Sequence, residues 1–287
     1  VGEFVWKTFF GETTVDVGRA LQGSGHGSAV VGGYIGWECC ISREGEVVMD
    51  GALVWVSTLG SGNEKIYSVD SSSRQSDGSV QFAAQTSQCG VEGILLGKVN
   101  QSGKVEDAKV LGGDVNAYAV QASENGPIVL AGYSATSTGS TDALLVQVDQ
   151  SGEQITWART LGGSSGDYAC AVQSLGDGTI ILAGYTSSFG EGSSDILLAK
   201  VNSSGGLVWA KTLGTSSFER AYGVEATPDG GFVVSATTYG FDAGTVLLMK
   251  VDSEGELEWA NILEGEGTSS YFGALESGSD DSLTMVT

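Results

Sequence analysis

The chain carries little of what catalytic and metal chemistry usually require. One histidine, His26, serves 287 residues, and it sits in the glycine-rich stretch Gly23-Ser-Gly-His-Gly-Ser28, so a histidine-based triad would depend on a turn residue. The four cysteines, Cys39, Cys40, Cys89 and Cys170, are too few for a disulfide-built scaffold and lack the paired CxxC spacing of a zinc site. Without a histidine or thiolate cluster, zinc and copper lose their usual ligands, and only oxygen-ligated cations stay in contention. No apolar run approaches the roughly 20 residues of a membrane-spanning helix; Thr179-Ile-Ile-Leu-Ala-Gly184 is typical of the longest. Lys and Arg number 13 against 35 Asp and Glu, a formal charge of -22, which repels nucleic acid and anionic lipid and favours solubility.

Proline is also scarce, with 2 residues against 45 glycines. Together with 41% hydrophobic and 17% charged residues, that balance suits many short strands joined by glycine turns, an all-β chain. Self-comparison then finds one pattern along the whole length. Gly205-Gly-Leu-Val-Trp-Ala-Lys-Thr-Leu-Gly214 has counterparts around Trp6, Trp55, Asp107, Trp157 and Trp259, anchors spaced 49 to 52 residues apart. Each period carries four strand-like runs. The first two are separated by Asp77-Gly78, Asn125-Gly126, Asp177-Gly178 or Asp229-Gly230, and the last two by Ser102-Gly103, Ser151-Gly152, Ser204-Gly205 or Glu254-Gly255. These dipeptides tolerate the positive φ of a tight hairpin turn.

A four-stranded antiparallel sheet with two apolar faces cannot bury both alone, so successive sheets should pack face to face around an axis. The expectation is one domain over 1–287, a six-bladed β-propeller of four-stranded blades. Its ring closes where the N-terminal strand, residues 1–10, joins the C-terminal blade. That blade's third strand has no counterpart in the sequence, and the chain is expected to continue beyond Thr287. The anchor Trp should fill the gap between blades, Trp209→Ala costing about 3 to 5 kcal/mol, with the Asp107 junction weaker.

Trp157-Ala-Arg-Thr-Leu-Gly-Gly163, Gly184-Tyr185-Thr-Ser-Ser188, Asp195-Ile-Leu-Leu-Ala-Lys200 and Asp229-Gly-Gly-Phe-Val-Val234 resemble a family of secreted propeller repeats of bacteria and archaea, the seven-bladed-propeller or quinoprotein-like repeats. The resemblance is clear from about Val99 to Trp259 and degenerate over the first hundred residues. It implies a propeller on an exported or cell-surface protein and no single activity, since fold is not function. Some quinoprotein enzymes place a bridged pair of adjacent cysteines over the quinone, which draws attention to Cys39-Cys40; no set of cationic residues converges on a cofactor beside it.

Several residues are candidates for a site. Asp16, Glu64, Asp167 and Glu219 hold the same place in four repeats, just before the innermost strand. There they would form an acidic ring at the mouth of a central channel, able to hold Ca²⁺ or a cationic group, or else bond local backbone at a strand entry. Asn100-Gln-Ser102 and Asn202-Ser-Ser204 are glycosylation sequons on the same hairpin of two repeats. Cys39 or Cys40 could bridge to Cys89, which implies an oxidising compartment; the plainer reading is small buried hydrophobes. Tyr34, Tyr133 and Tyr185 share one position in the second strand and serve blade packing, or line glycan pockets. These features point to a non-enzymatic extracellular or cell-surface scaffold or interaction module, for example a subunit of a filament or surface appendage. It would use no cofactor beyond Ca²⁺ and would bind other proteins, copies of itself or glycans, without nucleic acid or membrane insertion. A glycan- or Ca²⁺-binding propeller is the alternative, and a quinoprotein-like enzyme the third reading.

Overall fold

The computed structural model describes residues 16–23, 28–35, 41–48, 53–59, 65–70, 80–86, 93–100, 104–112, 115–122, 126–240, 245–263, 274–277 and 283–286. All of its named elements are β-strands. The first sheet comprises Asp16–Gly23 (β1), Ser28–Ile35 (β2), Ile41–Val48 (β3) and Leu53–Leu59 (β4). The second comprises Lys65–Asp70 (β5), Val80–Thr86 (β6), Gly93–Val99 (β7) and Val105–Gly112 (β8). The third is built from Val115–Ala122 (β9), Ile128–Ala135 (β10), Thr141–Val148 (β11) and Ile155–Leu161 (β12). The fourth has Asp167–Ser174 (β13), Ile180–Thr186 (β14), Asp195–Val201 (β15) and Leu207–Leu213 (β16). The fifth has Glu219–Ala226 (β17), Phe232–Thr238 (β18), Thr245–Val251 (β19) and Leu257–Leu263 (β20). Ala274–Ser277 (β21) and Leu283–Val286 (β22) pair as a two-stranded sheet.

Every four-stranded sheet is a simple antiparallel meander with its strands in chain order. The expected turns explain this. Gly178 and Gly230 between first and second strands, and Gly152, Gly205 and Gly255 between third and fourth, all have positive φ, where a side chain is disfavoured. The first strands adjoin in sequence: β5 lies against β1 and β9, and β13 against β9 and β17.

Strand alternation gives the third and fourth sheets two apolar faces, and both are covered. In β10, Ile128 and Leu130 join one core cluster with Ile94 and Leu96 of β7, while Val129 and Ala131 join another with Ile180 and Leu182 of β14. In β14 the other residues, Ile181 and Ala183, turn to a third cluster with Phe232 and Val234 of β18. The period of two thus makes the middle strands hydrophobic throughout, and a one-residue slip would exchange whole faces between cores. The core is therefore a series of layers between sheets.

At two junctions the anchor Trp closes the layer at its rim rather than filling its middle. Trp157 of β12 lies over the hairpin of the next sheet: its Nε1–H donates to the Ser203 carbonyl at 3.1 Å, and a Cβ on Gly205 would come within 2.9 Å of the indole. Trp209 of β16 repeats this, donating to the Ser253 carbonyl at 3.2 Å over Gly255, with Phe232 edge-on at 6.4 Å. Both indoles stay part-exposed, which corrects the expectation of full burial. Two residues after the anchors, Lys109, Arg159 and Lys211 reach the same hairpins. Arg159 donates Nε–H to the Gly205 carbonyl at 3.1 Å, and Lys211 pairs with Glu256 at 2.5 Å. Level with the anchors on the inner strands, Gln173 accepts the Ala226 amide at 2.5 Å and donates to Glu225 at 2.7 Å.

Because the indole is only partly buried, Trp209→Ala should cost about 2 to 3 kcal/mol, combining lost area and one hydrogen bond. Denaturant unfolding at constant m-value measures it, and an unchanged midpoint would refute the docking role.

Candidate functional site

Asp167 and Glu219, two of the four acids of the expected channel ring, begin β13 and β17. Neither opens onto solvent: they are 0% and 1% exposed. Asp167 Oδ2 accepts the Gly163 amide at 2.9 Å and the Ser188 hydroxyl at 2.6 Å, and Oδ1 accepts the Thr186 hydroxyl. Thr186 Oγ1 in turn accepts the amides of Ser188 at 3.0 Å and Phe189 at 3.2 Å. Glu219 repeats the device, accepting the Thr215 amide at 2.9 Å, the Thr215 hydroxyl at 2.7 Å and the Thr238 hydroxyl at 2.9 Å. Each carboxylate therefore fastens the loop that enters its own sheet to the loop leaving the second strand. Asp16 lies in β1 at the equivalent register position, while Glu64 lies outside the described residues. Among the described residues, no group of three or more His, Cys, Asp or Glu is placed to hold a metal ion. The sequence did contain the missing half of the device: Thr186 and Thr238 each follow their acid by 19 residues.

The same end of the molecule is stitched between sheets. The Ser193 amide donates to the Ser217 carbonyl at 3.0 Å and the Glu219 amide to the Ser194 carbonyl at 2.8 Å, forming a parallel bridge between Ser194 and Phe218. On these fastened loops stand Phe189, Phe218 and Tyr239, exposed to 52%, 46% and 40%. Phe218 and Tyr239 meet edge to face at 6.5 Å. Single exposed aromatics carry little meaning, but these three form a set on loops that buried carboxylates tie down. Sequence reasoning missed it because these residues fall between the repeated strands.

Tyr133 and Tyr185 serve packing. Tyr133 contacts Tyr118 at 5.3 Å and Tyr168 of the next sheet at 5.1 Å; Tyr168 stacks on Tyr185 at 4.6 Å; and the Arg220 guanidinium lies 4.5 Å over Tyr185. Burial, with help from Cys170, pushes the Tyr185 phenol well above its ordinary range. Tyr34 lies in β2. Cys170 remains a thiol, whereas Cys39, Cys40, Cys89 and His26 lie outside the described residues.

The sequon residues cap hairpins at the opposite end. Asn202 Oδ1 accepts the Ser204 amide at 3.1 Å, the Ser204 hydroxyl at 2.7 Å and the Gly206 amide at 2.8 Å, and Asn100 Oδ1 accepts the Lys104 amide at 3.0 Å. Aspartates do the same in sibling turns. Backbone amides of Gln154 and Glu153 hold the Asp149 carboxyl below its usual range, and the Thr179 hydroxyl and amide do so for Asp177. Asp229 is held lowest, first by the Thr227 hydroxyl and then by Lys250, whose Nζ lies 2.9 Å away.

A family model described as a β-propeller domain of unknown function (DUF5122) matches residues 175–207. No curated protein matches the chain. Among solved structures, the chain is similar to the Neurospora crassa Pan2 WD40 domain, with 10% identity, a TM-score of 0.54, and 94% of this chain and 86% of that one covered. It is also similar to a hypothetical protein from Leishmania major, with 11% identity, a TM-score of 0.45 and coverage of 84% and 86%. The repeat is thus of β-propeller type, as its four-stranded antiparallel sheets indicate.

Two outcomes follow from the carboxylates. Asp167→Asn and Glu219→Gln should each lower stability by about 1 to 3 kcal/mol through impaired buried hydrogen bonding, while Ca²⁺ at about 1 mM, the weak end of the affinities of extracellular calcium modules, leaves the wild-type melting temperature unchanged. A calcium-dependent rise would restore the ring-site reading. A carboxyl with a depressed folded pKa contributes stability above its unfolded value, near pH 4, and loses it as pH falls through the folded value. Asp229→Asn should therefore flatten the stability curve below about pH 4 and leave the slope between pH 6 and 8 unchanged, as read by acid titration of unfolding midpoints.

Proposed function

We propose that the chain forms a six-bladed propeller ring that works as a non-enzymatic extracellular or cell-surface interaction module, joining other proteins or copies of itself in a larger assembly. The six-blade reading is supported by the adjacency of the first strands, which continues from β17 to β21 and from β21 to β1. The interaction reading rests on one observation: the loop end of the fourth and fifth sheets presents Phe189, Phe218 and Tyr239 on loops tied down by buried carboxylates. A preorganised aromatic surface loses little conformational freedom on binding. The sequons lie at the other end, so sugars there would leave this surface open, and the charge of -22 keeps nucleic acid away. A location outside the cell accords with the repeat resemblance and the sequons.

A second reading takes the Phe218–Tyr239 pair, with the nearby hydroxyls of Thr215 and Ser217, as a platform for a sugar ring. Glycan arrays would register it. The quinone-enzyme reading needs Cys39-Cys40 and would show as a cofactor absorption band in native material.

Electron microscopy, with mass spectrometry of material from the native source, is the direct test; the expected outcome is discs joined to partners or to each other. Phe218→Ser combined with Tyr239→Ser should abolish that association while changing stability by no more than about 0.5 kcal/mol, as surface substitutions do. Bare monomers without associated chains would overturn the proposal.

A further inference from the structure

The junction between the second and third sheets lacks its indole. Asp107 pairs with Lys98 in β7–β8 where Trp157 pairs with Gln147, Trp209 with Lys200 and Trp259 with Lys250, each beside the same one-residue register shift. The space is not refilled. A cavity of about 380 Å³ lies there, with Leu96, Ile128 and Gly152 in its wall and Lys98, Asp107 and Lys109 at its edge. That volume falls within the range of small-molecule sites. Its wall is apolar and buried, Leu96 and Ile128 being 6% and 2% exposed, and both approach Gly152, where a Cβ would stand 3.3 and 3.8 Å from them.

The two equivalent junctions show what such a space accepts. At each, an indole lies against a positive-φ glycine and donates N–H to a hairpin carbonyl, that of Ser203 or Ser253. In the vacant junction the glycine is Gly152, with φ of 71°, and the carbonyl two residues before it belongs to Gln150, another lining residue. Lys109 approaches the hairpin from the side, at 3.3 Å from the Ser151 carbonyl and 3.4 Å from Glu153. The charged groups of the lining are Lys98, Asp107 and Lys109, and Glu106, Asp107 and Glu153 pair with the two ammoniums, so the charges there largely offset one another.

We infer that this junction is a binding site for a small, neutral, planar heteroaromatic molecule bearing a ring N–H, which docks beside the place where the other junctions carry their own indole. Its ring would rest against Leu96 and Ile128, which already close over Gly152, and its N–H would meet the Gln150 carbonyl. The inference is independent of the loop surface proposed above, which lies at the opposite end of the sheets.

The test uses indole, tryptamine and indole-3-acetate with the full chain, by calorimetry and ligand-observed NMR. Indole should bind at one site with millimolar or tighter affinity, the scale reached by ligands of about ten atoms, with tryptamine and indole-3-acetate within a few-fold of it because the charges around the cavity offset one another. Asp107→Trp should abolish binding and raise the melting temperature by a few degrees; Asp107→Leu, a smaller filler, should weaken binding at least tenfold. Trp209→Ala opens an equivalent gap and should raise the stoichiometry to two. Absence of saturable binding to the wild type would overturn the inference, as would binding that survives both Asp107 substitutions.

Discussion

Two-sided burial of the sheets governs this molecule. A four-stranded meander whose middle strands are apolar on both faces is insoluble alone, and its partner must present the same kind of face. Once Ile128 and Leu130 face one neighbour and Val129 and Ala131 the other, the structure becomes a succession of equivalent layers. What distinguishes one layer from the next is confined to its edges. The rim holds the indoles and cations, the turn end holds the capped hairpins, and the loop end holds the buried acids with their threonines.

This division of labour explains why the acidic residues divide as they do. Exposed carboxylates such as Asp149 and Asp229 stabilise turns by accepting amides that would otherwise meet only water. Asp167 and Glu219 sit in the interior, where a carboxylate is tolerated only with its lone pairs occupied. The local threonines and loop amides occupy them, so these acids hold loops in place and are not presented to a ligand. The groups these loops carry outward are Phe189, Phe218 and Tyr239 among others.

Much of the fold was legible because its causes are local. The Gly-bearing turns, the fourfold run of strands and the regular anchors state the meander outright, and Gly178, Gly205, Gly230 and Gly255 take the backbone conformation their dipeptides imply. Harder to read was anything depending on two segments of one period acting together. Asp167 looked like a channel residue because Thr186 and Gly163, which claim its oxygens, are distant in sequence. Trp209 looked like core because an apolar aromatic at a fixed spacing usually is; that it lies on a neighbour's glycine follows only from the packing of adjacent sheets. Tyr133 and Tyr185 do pack against rings of their own and the next sheet, since a shared position in successive second strands puts them at successive interfaces. Asp107 was recognised as an interruption, but that its gap persists as a cavity required the positions of Leu96 and Ile128.

The docking of each indole on the next hairpin also limits how such a chain can change. Lengthening the turn around residues 202–206 would displace Gly205 and the Ser203 carbonyl, so one inserted residue would damage a sheet it does not belong to. The loop end is tied as well, because segment 187–194 carries Ser188 on Asp167 and the Ser194–Phe218 bridge to the next sheet, but the residues between those ties make no such contact with a neighbouring hairpin. The hairpin end is therefore the conservative side of the molecule, and novelty in its descendants should accumulate in the few loop residues between the ties.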